Sequence, residues 1–290
     1  MSDQNKPSPK RAGISLKGLP FDLLLDSGVS PETLPRVDLL KHGGYVFFLT
    51  RLMREHNVVP RGVIHLGANI GQESVPYMLM NFEKVLYVEA HPGVYDELKR
   101  NIDRLTLLEN EMAAFLRTKP VTRFATFNGA VGDHDGETRF FVTNSTLFSS
   151  TRKPVDFSKW VDYMLERSTP SEAAEFVSWA DTAFGVSEET TVPVRKLDTI
   201  MREELPDGWR AEDFNVLGMN LQGGELDALR GAENTLSHVE FIQTEMNYGE
   251  HYQGNPMPEE INHFLTSAGF HEVMPLRAGP VGTSVYVRCR

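Results

Sequence analysis

A glycine-containing segment, GVIHLGANIGQES over residues 62–74, has the residue types of a ligand-binding loop. An apolar run ends at Gly67, and Gly71 and Glu73 follow where a helix is predicted to begin. Gly67 would let the backbone turn close to a ligand, and Gly71 would let the helix pack against the strand. The G-x-x-x-G spacing differs from the G-x-G-x-x-G of dinucleotide-binding loops. Because a pyrophosphate would meet Glu73 as a like charge, an ammonium or sulfonium ligand suits this loop better.

Two further strand ends carry residues suited to an adenosine group. Glu89 ends the segment YVEAHP, 18 residues after Gly71 (89 − 71 = 18). An acid at the tip of a second strand accepts hydrogen bonds from ribose hydroxyls, and its usual spacing from the loop is about 20 residues. The third strand ends at Asn128-Gly129-Ala130, where an amide and small residues could line the adenine. The three strand ends together predict an adenosine-containing ligand.

The elements around these residues alternate between strand and helix from Pro60 onward. The predicted strands are GVIHLG, KVLYVEA, TRFATFNGAVGD, FNVLGMNL and HVEFIQTEM, followed by HEVMPL and TSVYVRC. Helical patterns follow most of the first five, which predicts an α/β fold with a parallel sheet covered on both faces. The Gly/Pro turn RAGPVG predicts an antiparallel hairpin at the C-terminal end of the sheet. Ligands of such sheets lie beyond the carboxyl ends of the strands, where the motifs fall.

The chain divides into three predicted parts, the last of which contains an insertion. Residues 1–18 are predicted to be a disordered tail, 19–59 a helical N-terminal cap, and 60–290 the main domain. Within the main domain, residues 144–190 interrupt the strand–helix rhythm and are predicted to form a lid-like insertion with two short helices. The apolar segment YVFFLTRLM of the cap could cover the ligand or form the face of a homodimer.

The composition limits the classes of partner. The chain has 290 residues, 40% of them hydrophobic, and a formal net charge of −11, which argues against nucleic acid as the main partner. Its single cysteine, Cys289, allows no intrachain disulfide. The polar N-terminus lacks the apolar region of a secretory signal, and no run reaches the roughly 18 apolar residues of a membrane span. We therefore expect a soluble, cytoplasmic protein with no membrane partner.

Six segments in order resemble the FkbM-type methyltransferases over about residues 60–275: VIHLGANIGQES, LYVEAHP, NGAVGDHDGE, VRKLDTI, MNLQGGELDALRGAENTL and IQTEMNYGEHYQG. The resemblance implies a class I methyltransferase (Rossmann-like) fold, a doubly wound seven-stranded sheet with a C-terminal antiparallel hairpin. It also implies S-adenosyl-L-methionine as cofactor and a hydroxyl group of a natural product or sugar as methyl acceptor.

The resemblance also implies a set of cofactor contacts: Gly67, Ala68, Asn69, Gly71, Glu89, Ala90, Asn128, Gly129 and Ala130. To these we add His65, Glu73 and Asn220. Two positions depart from the family pattern. His65 stands where an acid is common, and the family segment DVQG or DVEG reads Asn220-Leu221-Gln222-Gly223 here.

Candidates for proton transfer lie at the ends of the fourth and fifth strands. Glu225 begins the helix after Gly223-Gly224, Glu245 ends the fifth strand, and His251 follows in the next loop. A positioned base contributes typically about 100- to 10,000-fold to such a reaction. Glu245 and His251 are both candidate bases, while Asn220 and Gln222 would orient the acceptor or the methionine group. We expect no metal, because Asn220 replaces the acid at one strand tip.

The leading hypothesis is an S-adenosylmethionine-dependent O-methyltransferase that acts on a small molecule with a hydroxyl group. Methylation of an amine or a carboxylate on the same fold remains open, as does an inactive cofactor-binding scaffold. A dinucleotide-dependent oxidoreductase is disfavoured by the missing third glycine and by Glu73.

Overall fold

The computed structural model describes residues 39–116 and 122–289. The predicted tail over 1–18 and the first part of the predicted cap over 19–59 lie outside the described residues. The helices are α1 (Leu39–Glu55), α2 (Ser74–Leu79), α3 (Pro92–Leu116), α4 (Ser158–Leu165), α5 (Pro170–Ala183), α6 (Leu197–Glu203), α7 (Glu225–Arg230), α8 (Glu233–Leu236) and α9 (Pro258–Ser267). The strands are β1 (Gly62–Leu66), β2 (Lys84–Glu89), β3 (Arg123–Asn128), β4 (Ala130–Val131), β5 (Gly136–Thr143), β6 (Val186–Arg195), β7 (Val216–Met219), β8 (Phe241–Asn247), β9 (Phe270–Ala278) and β10 (Val281–Arg288).

The main sheet has seven strands in the order β3-β2-β1-β7-β8-β10-β9. The first five of these pair in parallel, while β10 runs antiparallel to both β8 and β9. Strand order reverses between β1 and β7, so the chain crosses to the other half of the sheet there. The predicted fold class, a doubly wound seven-stranded sheet with a C-terminal antiparallel hairpin, is confirmed.

Both faces of the main sheet are covered, as the almost continuously apolar central strands require. Every residue of β1 is buried. Side chains of α1, α2 and α3 pack on one face, with Leu52, Tyr77 and Leu98 among them. Helices α6 to α9 pack on the other face, including Leu226 and Ile261. These two layers fix the strand ends that carry the sequence motifs.

A second sheet of three strands, in the order β4-β6-β5, lies beside the end of β3. Strand β5, which contains the segment ETRFFVT, pairs antiparallel with the polar segment VSEETTVPVR of β6. Much of β6 is exposed, so its sequence lacks the apolar alternation by which strands are recognised. The small sheet supports the segment predicted as a lid.

The segment over 144–190 contains a 3₁₀ turn at Thr146–Phe148, the helices α4 and α5, and the start of β6. Its buried aromatic side chains, Phe148, Phe157 and Trp160, pack with Tyr252 of the loop after β8. This aromatic cluster attaches the segment to the main domain. Whether the segment moves as a lid stays a prediction.

Helix α1 supplies Leu49, Leu52 and Met53 to the core and packs against α2, whereas Phe47 is 70% exposed. In the described part of the chain, every helix is too short or too polar to span a bilayer.

Candidate active site

A pocket of about 900 Å³, counting the part open to solvent, lies at the carboxyl ends of β1, β2 and β7. This is the position at which open α/β sheets bind ligands. Predicted site residues that line the pocket are Gly67, Asn69, Glu73, Glu89, Ala90, Gly129, Ala130, Asn220 and Gln222. The fold therefore brings residues from four strand ends, far apart in the sequence, around one cavity.

Glu89 ends β2 with its carboxylate fixed by the backbone of two loops. Its Oε2 accepts a hydrogen bond from the Asn69 N–H at 2.7 Å, and its Oε1 accepts one from the His91 N–H at 2.7 Å. Burial raises the pKa of Glu89, and these backbone hydrogen bonds oppose that rise. Each carboxylate oxygen has a further lone pair, so the held group can still accept hydrogen bonds from a diol.

Gly67 allows the tips of three strands to meet at the floor of the pocket. Its backbone φ is +77°, and a Cβ at this position would overlap the backbone oxygen of Asn220. The Gly67 N–H donates to Val88 O at 2.9 Å, and the Asn220 N–H donates to Leu66 O at 2.9 Å. The strand tips of β1, β2 and β7 are thus hydrogen-bonded to one another, which leaves no room for a side chain at Gly67.

Glu73 places a second carboxylate in the pocket wall, immediately before α2. It does not cap that helix through its side chain. Burial raises the pKa of Glu73 to about 7, and its own backbone N–H is the hydrogen-bond donor that lowers it in part. A cationic ligand beside Glu73 would favour the ionised carboxylate and would be attracted by it.

The comparisons with known proteins agree with this geometry. The family model of the methyltransferase FkbM domain matches residues 65–272, which is most of the chain. The chain belongs to the FkbM methyltransferase family. It is therefore an S-adenosylmethionine-dependent methyltransferase, and the resemblance predicted from the sequence is confirmed.

Individual relatives are distant in sequence. Methyltransferase sdnD of Sordaria araneosa is 26% identical over 219 residues, which cover 72% of this chain and 73% of that protein. The structure of methyltransferase FkbM from Methylobacillus flagellatus KT has 14% identity and a TM-score of 0.45, covering 79% of this chain but 43% of that chain. Magnesium protoporphyrin IX methyltransferase from Synechocystis PCC 6803, with bound SAM, has 11% identity and a TM-score of 0.38, covering 86% of this chain and 80% of that chain.

The strand-tip segment of this FkbM methyltransferase, Asn220 to Gly223, is organised around the Gln222 side chain. The Gln222 amide nitrogen donates to Asn220 Oδ1 at 2.5 Å and to Glu245 Oε2 at 2.7 Å. Its Oε1 accepts from the Tyr252 hydroxyl at 2.6 Å. Asn220 can offer a ligand its amide nitrogen as a donor, and its Oδ1 retains a second lone pair as an acceptor. The family acid would present only acceptors here, so the change to asparagine adds a donor to the pocket.

Glu225 and Glu245, predicted as catalytic residues, lie behind the pocket wall rather than in it. Glu225 accepts hydrogen bonds from the N–H groups of Leu221 at 2.8 Å and Gly223 at 3.0 Å, so it shapes the loop. Burial and the charge of Glu225 raise the pKa of Glu245 to about 8. Neither carboxylate lines the pocket, and both contact the segment over residues 220–223, so their part in proton transfer stays a prediction.

His251, the other candidate base, lies away from the pocket lining, and its part in proton transfer stays a prediction. Its ring is buried and stacks on Phe157, with ring centroids 5.3 Å apart. Nδ1 lies 3.0 Å from Asp156 O, and Nε2 lies 3.2 Å from Pro280 O. Both nitrogens face backbone carbonyls rather than the pocket, and burial lowers the pKa of the imidazole. His251 holds the segment before α4 against the turn between β9 and β10.

His65, predicted to contact the cofactor, does not line the pocket. Its Nδ1 is 2.7 Å from the Tyr77 hydroxyl, and burial lowers its pKa to about 4. Side chains alternate between the two faces of a strand, so only every second residue of β1 can face the same layer of helices. The imidazole packs beside Tyr77 and Tyr87, and its contact with the cofactor stays a prediction.

Three more of the predicted cofactor contacts lie next to the pocket without lining it. Ala68 is buried and its N–H donates to Val88 O at 3.1 Å. Gly71 gives Leu98 room, since a Cβ there would lie 2.9 Å from the leucine Cδ1. The Asn128 amide donates to Glu89 O at 3.0 Å. These three residues support the loops that carry Gly67, Asn69 and Glu89, and their contact with the cofactor stays a prediction.

One wall of the pocket was missed by sequence reasoning. It comes from the small sheet and the segment after it, and consists of Val131, Phe140, Thr146, Leu147, Phe148, Ser149, Ser150 and Thr151. Ser150 links this wall to the strand tip, because its hydroxyl donates to Gln222 O at 2.8 Å. The serine pair at 149–150 was the available signal for this wall. Among the residues with described coordinates, no cluster of three or more His, Cys, Asp or Glu forms a candidate metal site.

Proposed function

We propose that this chain is an S-adenosylmethionine-dependent O-methyltransferase that acts on a hydroxyl group of a small natural product or sugar. The charge of the pocket is the observation that carries the proposal. Glu73 and Glu89 line it, and none of its described lining residues is Lys, Arg or His. Such a wall attracts a sulfonium and an ammonium, whereas the pyrophosphate of a dinucleotide would meet two carboxylates without a counter-charge.

The residues present fit the adenosyl cofactor of the family. Glu89 would hold the ribose hydroxyls, Gly129 and Ala130 would leave room for the adenine, and Glu73 would face the cationic end. When bound, this cofactor supplies an electrophilic methyl group on a sulfonium sulfur. Gly129 is also required by its neighbours, because a Cβ there would lie 2.8 Å from the Phe127 ring.

The chain contributes to the reaction chiefly by alignment. Methyl transfer is an in-line displacement, and holding the acceptor in line and in contact can supply a large share of the rate enhancement. The Asn220 amide, held by Gln222, would donate a hydrogen bond to the acceptor oxygen or to the methionine carboxylate. A hydroxyl acceptor is supported by the family resemblance.

Calorimetric titration with S-adenosylhomocysteine and with NAD tests the proposed function. We expect micromolar binding of S-adenosylhomocysteine and no measurable binding of NAD. Activity on a panel of sugars and phenols, followed by transfer of a labelled methyl group, then tests for a hydroxyl acceptor. Binding of NAD in place of S-adenosylhomocysteine would overturn the proposal, and methylation of amines alone would overturn its hydroxyl part.

The pKa of Glu73 predicts a pH dependence of cofactor selectivity. Its carboxylate is ionised above about pH 7, so its attraction for a sulfonium is present above that pH and is lost as the pH falls below it. S-adenosylmethionine carries the sulfonium and S-adenosylhomocysteine does not. We expect the ratio of their affinities to rise about tenfold in favour of S-adenosylmethionine between pH 6 and pH 8, a difference of about 1.4 kcal/mol.

The matched variants for this measurement are Glu73→Gln and Glu111→Gln. Glu111 is an exposed acid on α3, and its replacement should leave the pH dependence as in the wild type. Glu73→Gln should make the affinity ratio independent of pH. A pH dependence that survives in Glu73→Gln would show that another group faces the sulfonium.

A further inference from the structure

A second groove adjoins the cofactor pocket between the loop after β1 and helix α5. It encloses about 1230 Å³, counting the part open to solvent. The two cavities share four lining residues: Asn69, Gln72, Thr146 and Leu147. A molecule in this groove therefore has a direct path to the pocket in which the methyl donor would be held.

The far wall of the groove is aromatic and rigidly supported. Phe176 and Trp179 of α5 line it, with ring centroids 5.6 Å apart and an interplanar angle of 39°. Behind them, Trp179 packs on Phe148 and Phe184 at centroid distances of 5.8 and 5.9 Å. Rings held in this way offer a preformed surface to a flat apolar ligand, because aromatic groups favour offset or edge contacts over such distances.

The charged lining of the groove is acidic. Glu97 of α3 lines it, and the described lining of the groove contains no Lys, Arg or His. The adjoining pocket adds Glu73 and Glu89. An anionic acceptor would have to lose part of its hydration beside these acids with no counter-ion, which is costly. A neutral or cationic acceptor avoids that cost.

We propose that this groove binds the methyl acceptor, and that the acceptor is an uncharged or cationic molecule with a flat apolar ring. The inference rests on the proposed function, since it takes the adjoining pocket as the site of the methyl donor. Trp179 is assigned as the residue against which the ring stacks, and Glu97 as the residue that selects for positive charge. Phosphorylated acceptors are disfavoured by the same charges.

Three probes that share one phenol ring and differ in the charge of the side chain test this assignment. They are tyramine (cationic), tyrosol (neutral) and para-hydroxyphenylacetate (anionic), titrated by saturation-transfer NMR into protein saturated with S-adenosylhomocysteine. We expect tyramine and tyrosol to bind at least about tenfold more tightly than the anion, equivalent to about 1.4 kcal/mol. Trp179→Ala should weaken both, and Glu97→Gln should remove the advantage of tyramine over tyrosol.

Val177→Ala is the matched control for Trp179→Ala, since Val177 lies on the same helix, is 39% exposed and does not line the groove. This variant should bind the probes as the wild type does. Equal or tighter binding of the anion, unchanged binding in Trp179→Ala, or no binding of any probe would overturn the assignment. A protein that fails to bind S-adenosylhomocysteine at all would instead overturn the proposed function, so the two failures are distinguishable.

Discussion

Replacing Glu89 with alanine should lower the affinity for S-adenosylhomocysteine by at least about 100-fold. Hydrogen bonds to a charged group contribute roughly 1.5–3 kcal/mol each, and a carboxylate that accepts from both ribose hydroxyls makes two of them. The variant also removes the acceptor for the Asn69 and His91 N–H groups, which loosens the glycine loop. Calorimetric titration of wild type and variant measures the change.

The ribose contact can be separated from the loop effect by a second ligand. A deoxyribose analogue of S-adenosylhomocysteine, lacking one ribose hydroxyl, should bind the wild type about tenfold more weakly, whereas Glu89→Ala should bind both ligands alike. Glu137→Ala, which removes an exposed acid on β5, is the control and should keep wild-type affinity. If Glu89→Ala still distinguished the two ligands, the diol would be bound elsewhere.

Gly67→Ala should lower the free energy of unfolding by about 3 kcal/mol or more and should also impair cofactor binding. An L-residue in the left-handed region costs roughly 1–2 kcal/mol, and forcing a methyl group into filled space costs typically another 1–3 kcal/mol. The Asn220 carbonyl cannot easily move aside, because the same residue is hydrogen-bonded to the end of β1. Urea unfolding, followed by far-UV circular dichroism, provides the measurement.

Gly208 offers a matched control for this substitution. Its φ is also +77°, but a Cβ there would meet nothing within 4 Å. Gly208→Ala should therefore show only the conformational cost, about 1 kcal/mol. Equal losses in the two variants would mean that the strand tips separate without penalty, contrary to the close approach described above.

The sequence predicts the fold well, and it also predicts which strand ends meet at the pocket. Strands such as KVLYVE are buried at every residue, and that continuous apolar pattern is what a covered parallel sheet requires. Once strand order is assigned, Gly67 and Glu89 must come together, because parallel strands end at the same edge. The residue types of the motifs and the strand order therefore both place the ligand site at the carboxyl edge of the sheet.

The direction of individual side chains is where sequence reasoning fails. His251 and Glu245 have suitable chemistry and lie near the right strand end, yet the imidazole lies between two backbone carbonyls and the Glu245 carboxylate accepts a hydrogen bond from Gln222. Spacing along the chain does not reveal which neighbour a side chain meets after folding. The β6 partner of the small sheet was missed for a related reason, since an exposed strand shows no apolar period.

The insertion between β5 and β6 begins and ends at a narrow neck. The Asn144 N–H donates to Gly185 O, and the Ser145 N–H donates to Ala183 O, both at 3.0 Å. Helices α4 and α5 thus lie within a loop whose two ends are hydrogen-bonded to each other. Helix α5 contributes the aromatic wall of the groove. Doubling the length of such a loop costs only about 0.6 kcal/mol in closure entropy. The neck therefore fixes the two points at which the segment leaves and rejoins the small sheet, and exchanging the residues between them would alter the aromatic wall of the groove and the pocket wall at residues 146–151 together.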